Sequence, residues 1–142
     1  MNTLPTFKFE TSLYPPSPVL SVYLSCPRRA VQTAALTALI DTGSDFSLCS
    51  EEILLEIGAP ESRTAQLRGM WSNFAITTLY FVDIHLPNGI LPGIEVASVL
   101  DTEGAFGNED LILGRNVLNK LILLLEGPKQ QTTILERRPL RF

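Results

Sequence analysis

The stretch Ala38-Leu39-Ile40-Asp41-Thr42-Gly43-Ser44 constrains this chain more than any other. An almost wholly apolar run reads as a strand buried on both faces, and a strand of that kind cannot carry a carboxylate far into the interior. The run therefore stops at Asp41, and the small, turn-forming Thr42-Gly43-Ser44 redirects the backbone. A buried strand that ends at an acid has reached either the surface or a site. Taken alone, this stretch leaves both open.

Around it the chain reads as a β framework. Val19 to Ser25 alternates with the period of a strand, Cys26-Pro27-Arg28-Arg29 makes a turn, and Val31 to Ile40 reads as the next strand. Beyond the Asp41 turn lies a short apolar segment, Phe46 to Cys49. Ser50 is suited to cap a helix whose first turn holds Glu51 and Glu52, favourable at the positive end of the helix dipole. Ile53, Leu54 and Ile57 give that helix a buried side, and Gly58 closes it. Glu61 to Thr78 reads as a projecting hairpin, with turn-formers and large apolar residues mixed in Gly69 to Phe74. Ile76 to Leu86 and Ile90 to Leu100 are strands joined through Pro87-Asn88-Gly89. After a polar loop, Asp101 to Asp110, come a short strand Leu111 to Leu113, the turn residue Gly114 and a short helix Arg115 to Leu121. A last hairpin, Ile122 to Glu126 and Thr132 to Glu136, turns at Gly127-Pro128. Residues 1–17 read as an extended arm with room for an edge strand at Phe7 to Glu10, because Pro15-Pro16-Ser17-Pro18 excludes a helix. Residues 18–142 read as one all-β domain with one or two short helices.

Composition narrows the function classes. At 142 residues, 45% apolar and 18% charged, the chain can bury a sizeable core and is not disordered. No apolar run approaches the roughly 18–20 residues that span a bilayer, and Met1 to Glu10 lacks the pattern of a secretory signal. A net charge of -4 argues against a nucleic-acid partner, with Arg28-Arg29 and the Arg137-Arg138 and Arg141 tail as solvated exceptions. Cys26 and Cys49 are too few for a disulfide framework or a zinc site, so no metal or other cofactor is expected and a cytoplasmic, reducing setting is the simplest. His85, alone in a strand, reads as structural or exposed, and Cys49 as a small apolar residue.

A weak internal echo runs through the order of elements. Two strands, an apolar run into Asp41-Thr42-Gly43 and a helix are followed by two strands, Leu111-Ile112-Leu113-Gly114 and a helix. Only the first copy carries the acid. The pair of motifs, Ala38 to Ser44 and Leu111-Ile112-Leu113-Gly114-Arg115-Asn116, resembles the retropepsin-type aspartic proteases, the single-domain, retroviral-like relatives of pepsin. In element order the resemblance runs from about Val19 to about Glu126, and its specific part is these two motifs. It implies a closed acid-protease barrel and an obligate homodimer, with one Asp-Thr-Gly loop from each subunit meeting at a two-fold axis. Terminal strands of both subunits, here Ile122 to Glu126 and Thr132 to Glu136, would interleave into a shared sheet.

The implied chemistry accounts for these residue types. Hydrolysing a peptide bond without metal or covalent intermediate needs a base to activate water and an acid to protonate the leaving group. Two neighbouring carboxylates that share one proton supply both. Asp41 would be one of them and Asp41 of the second copy the other, with Gly43 letting the backbone come close. The resemblance assigns Thr42 to a hydrogen bond across the interface and Ser44 to the active-site loop. It also pairs Arg115 with an acid just past the loop, where Asp45 stands. A plain surface charge is the alternative for Asp45, although a guanidinium fork suits a partly buried carboxylate. Gly69, Met70 and Trp71 fall where the family has its flap, and ordinary core packing is the competing account of Trp71.

Three functions follow as competitors. The first is an aspartic endopeptidase acting on polypeptide in an extended conformation. The second is a catalytically silent dimer of the same fold, binding peptides or directing assembly. The third is a monomeric barrel with Asp41 in an exposed turn.

Overall fold

The computed structural model describes residues 4–68, 74–100 and 110–140. The first strands are β1 (Thr6–Lys8), β2 (Val19–Ser25), β3 (Leu36–Ile40) and β4 (Ser47–Ser50), followed by helix α1 (Glu51–Glu56). Next come β5 (Glu61–Arg68), β6 (Phe74–Leu86), β7 (Gly89–Val99) and β8 (Leu111–Leu113). Helix α2 (Arg115–Leu118), β9 (Ile122–Glu126) and β10 (Gln131–Leu135) complete the order.

Alternation in β2 sends Leu20, Val22 and Leu24 fully into the interior and leaves Tyr23 exposed. Each large aliphatic side chain buried in this way contributes about 1.5–3 kcal/mol. The partners of these three side chains come from all round a ring: Ala38 on β3, Leu111 and Leu113 on β8, Val96 on β7, Val82 and Ile84 on β6. The ring closes because β6 is long enough to serve two neighbours on one edge. Its first half pairs with β5, from Arg68↔Phe74 to Glu61↔Tyr80, and its second half with β2, from Ser25↔Asp83 to Tyr23↔His85. The order β2-β3-β8-β4-β7-β6, with β2 returning to β6, makes a closed barrel of six strands, with β5 added outside.

One bulge tightens that closure. Asp83 is skipped in the β6–β7 register between Val82 and Ile84, and it is nearly buried. It accepts the amide hydrogens of Gly93 and Arg28, both at 2.8 Å. Both residues have positive φ, +60° and +69°, so the acid holds two unusual backbone turns at one end of the barrel.

A second, three-stranded sheet, β1-β10-β9, is built from the two ends of the chain. Ile134 from β10 enters the barrel core, with Phe7 and Leu123 partly buried against it. The edge strand expected at Phe7 to Glu10 runs instead over Thr6–Lys8, antiparallel to β10. Among the described residues no helix is long and apolar enough to cross a membrane.

Three elements differ from expectation. The strand expected over Val31 to Ile40 begins only at Leu36, because Leu24 bonds upstream to the Thr33 hydroxyl (3.0 Å) and to the Gln32 amide (3.0 Å), replacing a regular ladder. Ser50 occupies the N-cap position of α1, but its side chain makes no capping hydrogen bond. The helix expected to run to Leu121 ends at Leu118, where Lys120 and Leu121 bond three residues back to Val117 and Leu118.

Candidate active site

The internal echo has a physical meaning in the barrel. β3 and β8 run parallel and side by side, Ala38↔Leu111, Leu39↔Ile112 and Ile40↔Leu113. β4, which leaves the Asp41 turn, pairs antiparallel with the other edge of β8. The late strand is thus threaded between the strand entering the Asp41 loop and the strand leaving it. The Asp41 amide bonds to the Leu113 carbonyl at 3.0 Å, so the acid starts where the apolar ladder ends.

The loop folds back on its own carboxylate. Asp41 Oδ1 accepts the Gly43 amide at 2.9 Å, and the Ser44 amide bonds to the Asp41 carbonyl at 3.3 Å. A Cβ on Gly43 would stand 3.2 Å from that same Oδ1, closer than most side chains are tolerated. Asp41 is half-buried, while Thr42 and Gly43 are exposed. The hydroxyl of Ser44 donates to the Phe46 carbonyl at 2.6 Å and so shapes the loop.

The segment from Gly114 onward braces the loop from beneath. The Arg115 amide bonds to the Ser44 carbonyl at 2.8 Å and the Asn116 amide to the Asp45 carbonyl at 3.3 Å. The Arg115 guanidinium donates through Nη1 to the Thr42 carbonyl at 2.8 Å and through Nη2 to the Asp45 carboxylate. The structure therefore brings Asp41, Thr42, Gly43, Ser44, Asp45 and Arg115 into one cluster. Asp45, however, is largely exposed rather than partly buried in the single chain. Gly114 is the contact point: a Cβ there would lie 2.3 Å from the Phe46 carbonyl oxygen and 2.8 Å from that of Ser44.

Two residues that the sequence reading left without a role complete the support. Ser47, fully buried, accepts the Gly114 amide at 3.0 Å and donates to Asn116 Oδ1 at 2.9 Å. Asn116 Nδ2 then donates to the Glu95 carbonyl on β7 at 2.8 Å. A signal for Ser47 was present: a hydroxyl between Phe46 and Leu48 on a buried strand must find a partner. Gly69, Met70 and Trp71 lie outside the described residues, which include the two arms of that hairpin, β5 and β6. Among the described residues no group of three or more His, Cys, Asp or Glu side chains is arranged to hold a metal.

No protein-family model and no curated protein matches the chain. Solved structures do. The EIAV protease, in complex with the inhibitor HBY-793, is similar over 75% of this chain and 88% of that one, at 18% identity and a TM-score of 0.54. A retropepsin-like aspartic protease from Rickettsia conorii is similar over 94% of this chain and 93% of that one, at 10% identity and a TM-score of 0.53. At such identities the likeness is one of fold, and it coincides with a six-strand barrel that carries an Asp-Thr-Gly loop at the end of β3, which is buried at Leu36 and Ala38 and half-buried at Thr37, Leu39 and Ile40 rather than buried on both faces. The chain has the fold of the retropepsin-like aspartic proteases.

Proposed function

We propose that this protein is an aspartic endopeptidase that works as a homodimer, with Asp41 of each copy forming the catalytic pair. The observation that carries the reading is a single half-buried carboxylate, oriented by the Gly43 amide and flanked by exposed Thr42 and Gly43. One carboxylate cannot at once take a proton from water and give one to the leaving amine. A two-fold arrangement brings a second Asp41 to the first, and one shared proton then gives the pair a base and an acid. The base half deprotonates the attacking water, and the acid half protonates the amine as the peptide bond breaks.

The support beneath the loop suits this work. Arg115 and Gly114 brace the loop from below, so the carboxylate is held before substrate arrives. β9 has no neighbour on its outer edge among the described residues, and its Ile122 and Leu125 are exposed, which supplies apolar strand edge for a second copy. A polypeptide in an extended conformation is the substrate class, since strand edges bind extended backbone.

Asp41→Asn tests the assignment. A dimer of unchanged sedimentation with cleavage of a peptide library reduced about a thousand-fold or more is expected. Parent-like cleavage by the Asp41→Asn protein would remove Asp41 from the chemistry. Binding without turnover by the parent at every pH would leave a silent peptide-binding dimer.

A further inference from the structure

Between β1 and β2 the chain makes a short loop that the site described so far does not use. It is closed at its base by a two-way bridge, Glu10 amide to Ser17 carbonyl at 2.9 Å and Ser17 amide to Glu10 carbonyl at 3.2 Å. The Glu10 carboxylate caps the turn inside it, accepting the Ser12 hydroxyl at 2.7 Å and the Ser12 amide at 3.2 Å. Ser17 Oγ donates to the Pro15 carbonyl at 3.2 Å. Pro15, Pro16 and Pro18 each fix one φ, so the loop has little conformational freedom left to lose. At its tip Tyr14 is 99% exposed. A rigid loop holding an aromatic ring wholly in water has the form of a preorganised contact.

The position of the loop says what it meets. One anchor is the terminal sheet, where the Phe9 amide bonds to the Gln130 carbonyl at 2.9 Å. The other is the catalytic strand, where the Ile40 amide bonds to the Pro18 carbonyl at 3.1 Å, one residue before Asp41. If two Asp41 side chains meet at a two-fold axis, Pro18 at the base of the loop is paired one residue from the acid at that axis. The loop thus joins the two parts of the chain that the homodimer reading brings to the interface.

We propose that the loop of residues 11–17 docks on a second copy of this chain, with Tyr14 as the side chain that seats on the partner. This rests on the homodimer reading above and deepens it. Tyrosine suits the role, because its ring covers much area at the cost of two torsions and its hydroxyl stays wet at a rim. In a two-fold interface each such contact occurs twice, so one substitution removes two.

Sedimentation equilibrium over a dilution series, with Tyr14→Ser, Tyr14→Phe and the parent, tests this. Tyr14→Ser should raise the dimer Kd by about 10- to 100-fold, as truncation of a seated aromatic does, while Tyr14→Phe stays near the parent. At concentrations where both are dimeric, Tyr14→Ser and parent should have the same KM for a peptide substrate. Far-ultraviolet circular dichroism should show equal strand content, since a residue this exposed does not hold the fold. An unchanged dimer Kd in Tyr14→Ser overturns the inference and leaves the homodimer reading standing. A raised KM with unchanged Kd overturns it in favour of a loop that lines the substrate cleft. A parent that stays monomeric at every concentration overturns the homodimer reading itself, and this inference with it.

Discussion

Ser47 and Asn116 are 69 residues apart in the chain and share a 2.9 Å hydrogen bond directly beneath the Asp41 loop. Through it the strand that leaves the loop is tied to the helix that follows Gly114, and Asn116 passes the connection on to the Glu95 carbonyl of β7. The arrangement satisfies in series the buried Gly114 amide and Ser47 hydroxyl and both ends of the half-buried Asn116 amide. Ser47→Ala leaves the Gly114 amide without its acceptor, and an orphaned buried donor costs about 1–3 kcal/mol. Urea denaturation should read a loss of that size, with m unchanged. The double variant Ser47→Ala/Asn116→Ala should lose clearly less than the sum of the two single losses, because both act on one network. Additive losses would mean that the two residues are independent.

Gly114 and Gly127 make a matched pair for testing the close approach of loop and helix. Neither has positive φ, so backbone strain does not separate them. Space does: a Cβ at Gly114 would penetrate the Phe46 peptide, 2.3 Å from its oxygen and 2.6 Å from its carbon, whereas nothing lies within 4 Å of one at Gly127. Gly114→Ala can be accommodated only by moving the Ser44 to Phe46 backbone, and with it the Asp41 loop. It should cost about 3 kcal/mol or more, roughly 6–12 °C in Tm for a domain of this size. Gly127→Ala should stay within about 0.5 kcal/mol of the parent. Equal Tm values for the two variants would show that the approach at Gly114 is slack.

These relationships also mark where sequence reading stops. The elements of the barrel were legible because burial imposes its own period: Val19 to Ser25 alternates, and Ile76 to Leu86 and Ile90 to Leu100 flank an Asn-Gly turn. The acid at the end of Ala38 to Ile40 was legible because it breaks an apolar run, although the structure leaves Leu39 and Ile40 half-buried rather than buried on both faces. What could not be read was which strands lie side by side. The threading of β8 between β3 and β4 joins segments about 70 residues apart, and no local pattern encodes it. Ser47 between Phe46 and Leu48 signalled that a partner was needed, but Asn116 could not be read as that partner until β4 met β8. Boundaries failed where a side chain replaced a ladder bond, as Thr33 does at Leu24. Thr6–Lys8 is too short to show a period, and its pairing with β10 comes from the far end of the chain.

Glu95 projects from β7 toward β5, where its Oε2 accepts Arg63 Nε at 2.9 Å and the Ser62 hydroxyl at 2.8 Å. The Arg63 hydrogen bond first, then that of Ser62, holds the Glu95 carboxyl below its ordinary value of 4.5, against a smaller opposing effect of burial. A carboxyl whose folded value is depressed stabilises the protein fully above its unfolded value and loses that contribution as pH falls through the folded value. The parent should therefore be more stable than Glu95→Gln at pH 7, and the gap should close as pH drops below about 4.5. Glu10, held down by the Ser12 hydroxyl, and Glu126, held down by Gln131, act in the same direction, so Glu95→Gln should flatten the acid limb only in part. Because Arg63 is more than half exposed, the gap should also narrow in high salt. Thermal unfolding of parent and Glu95→Gln from pH 7 to pH 3, at low and high salt, measures both trends. A gap that stays constant across that range would mean that the Arg63–Glu95 pair contributes nothing to folding.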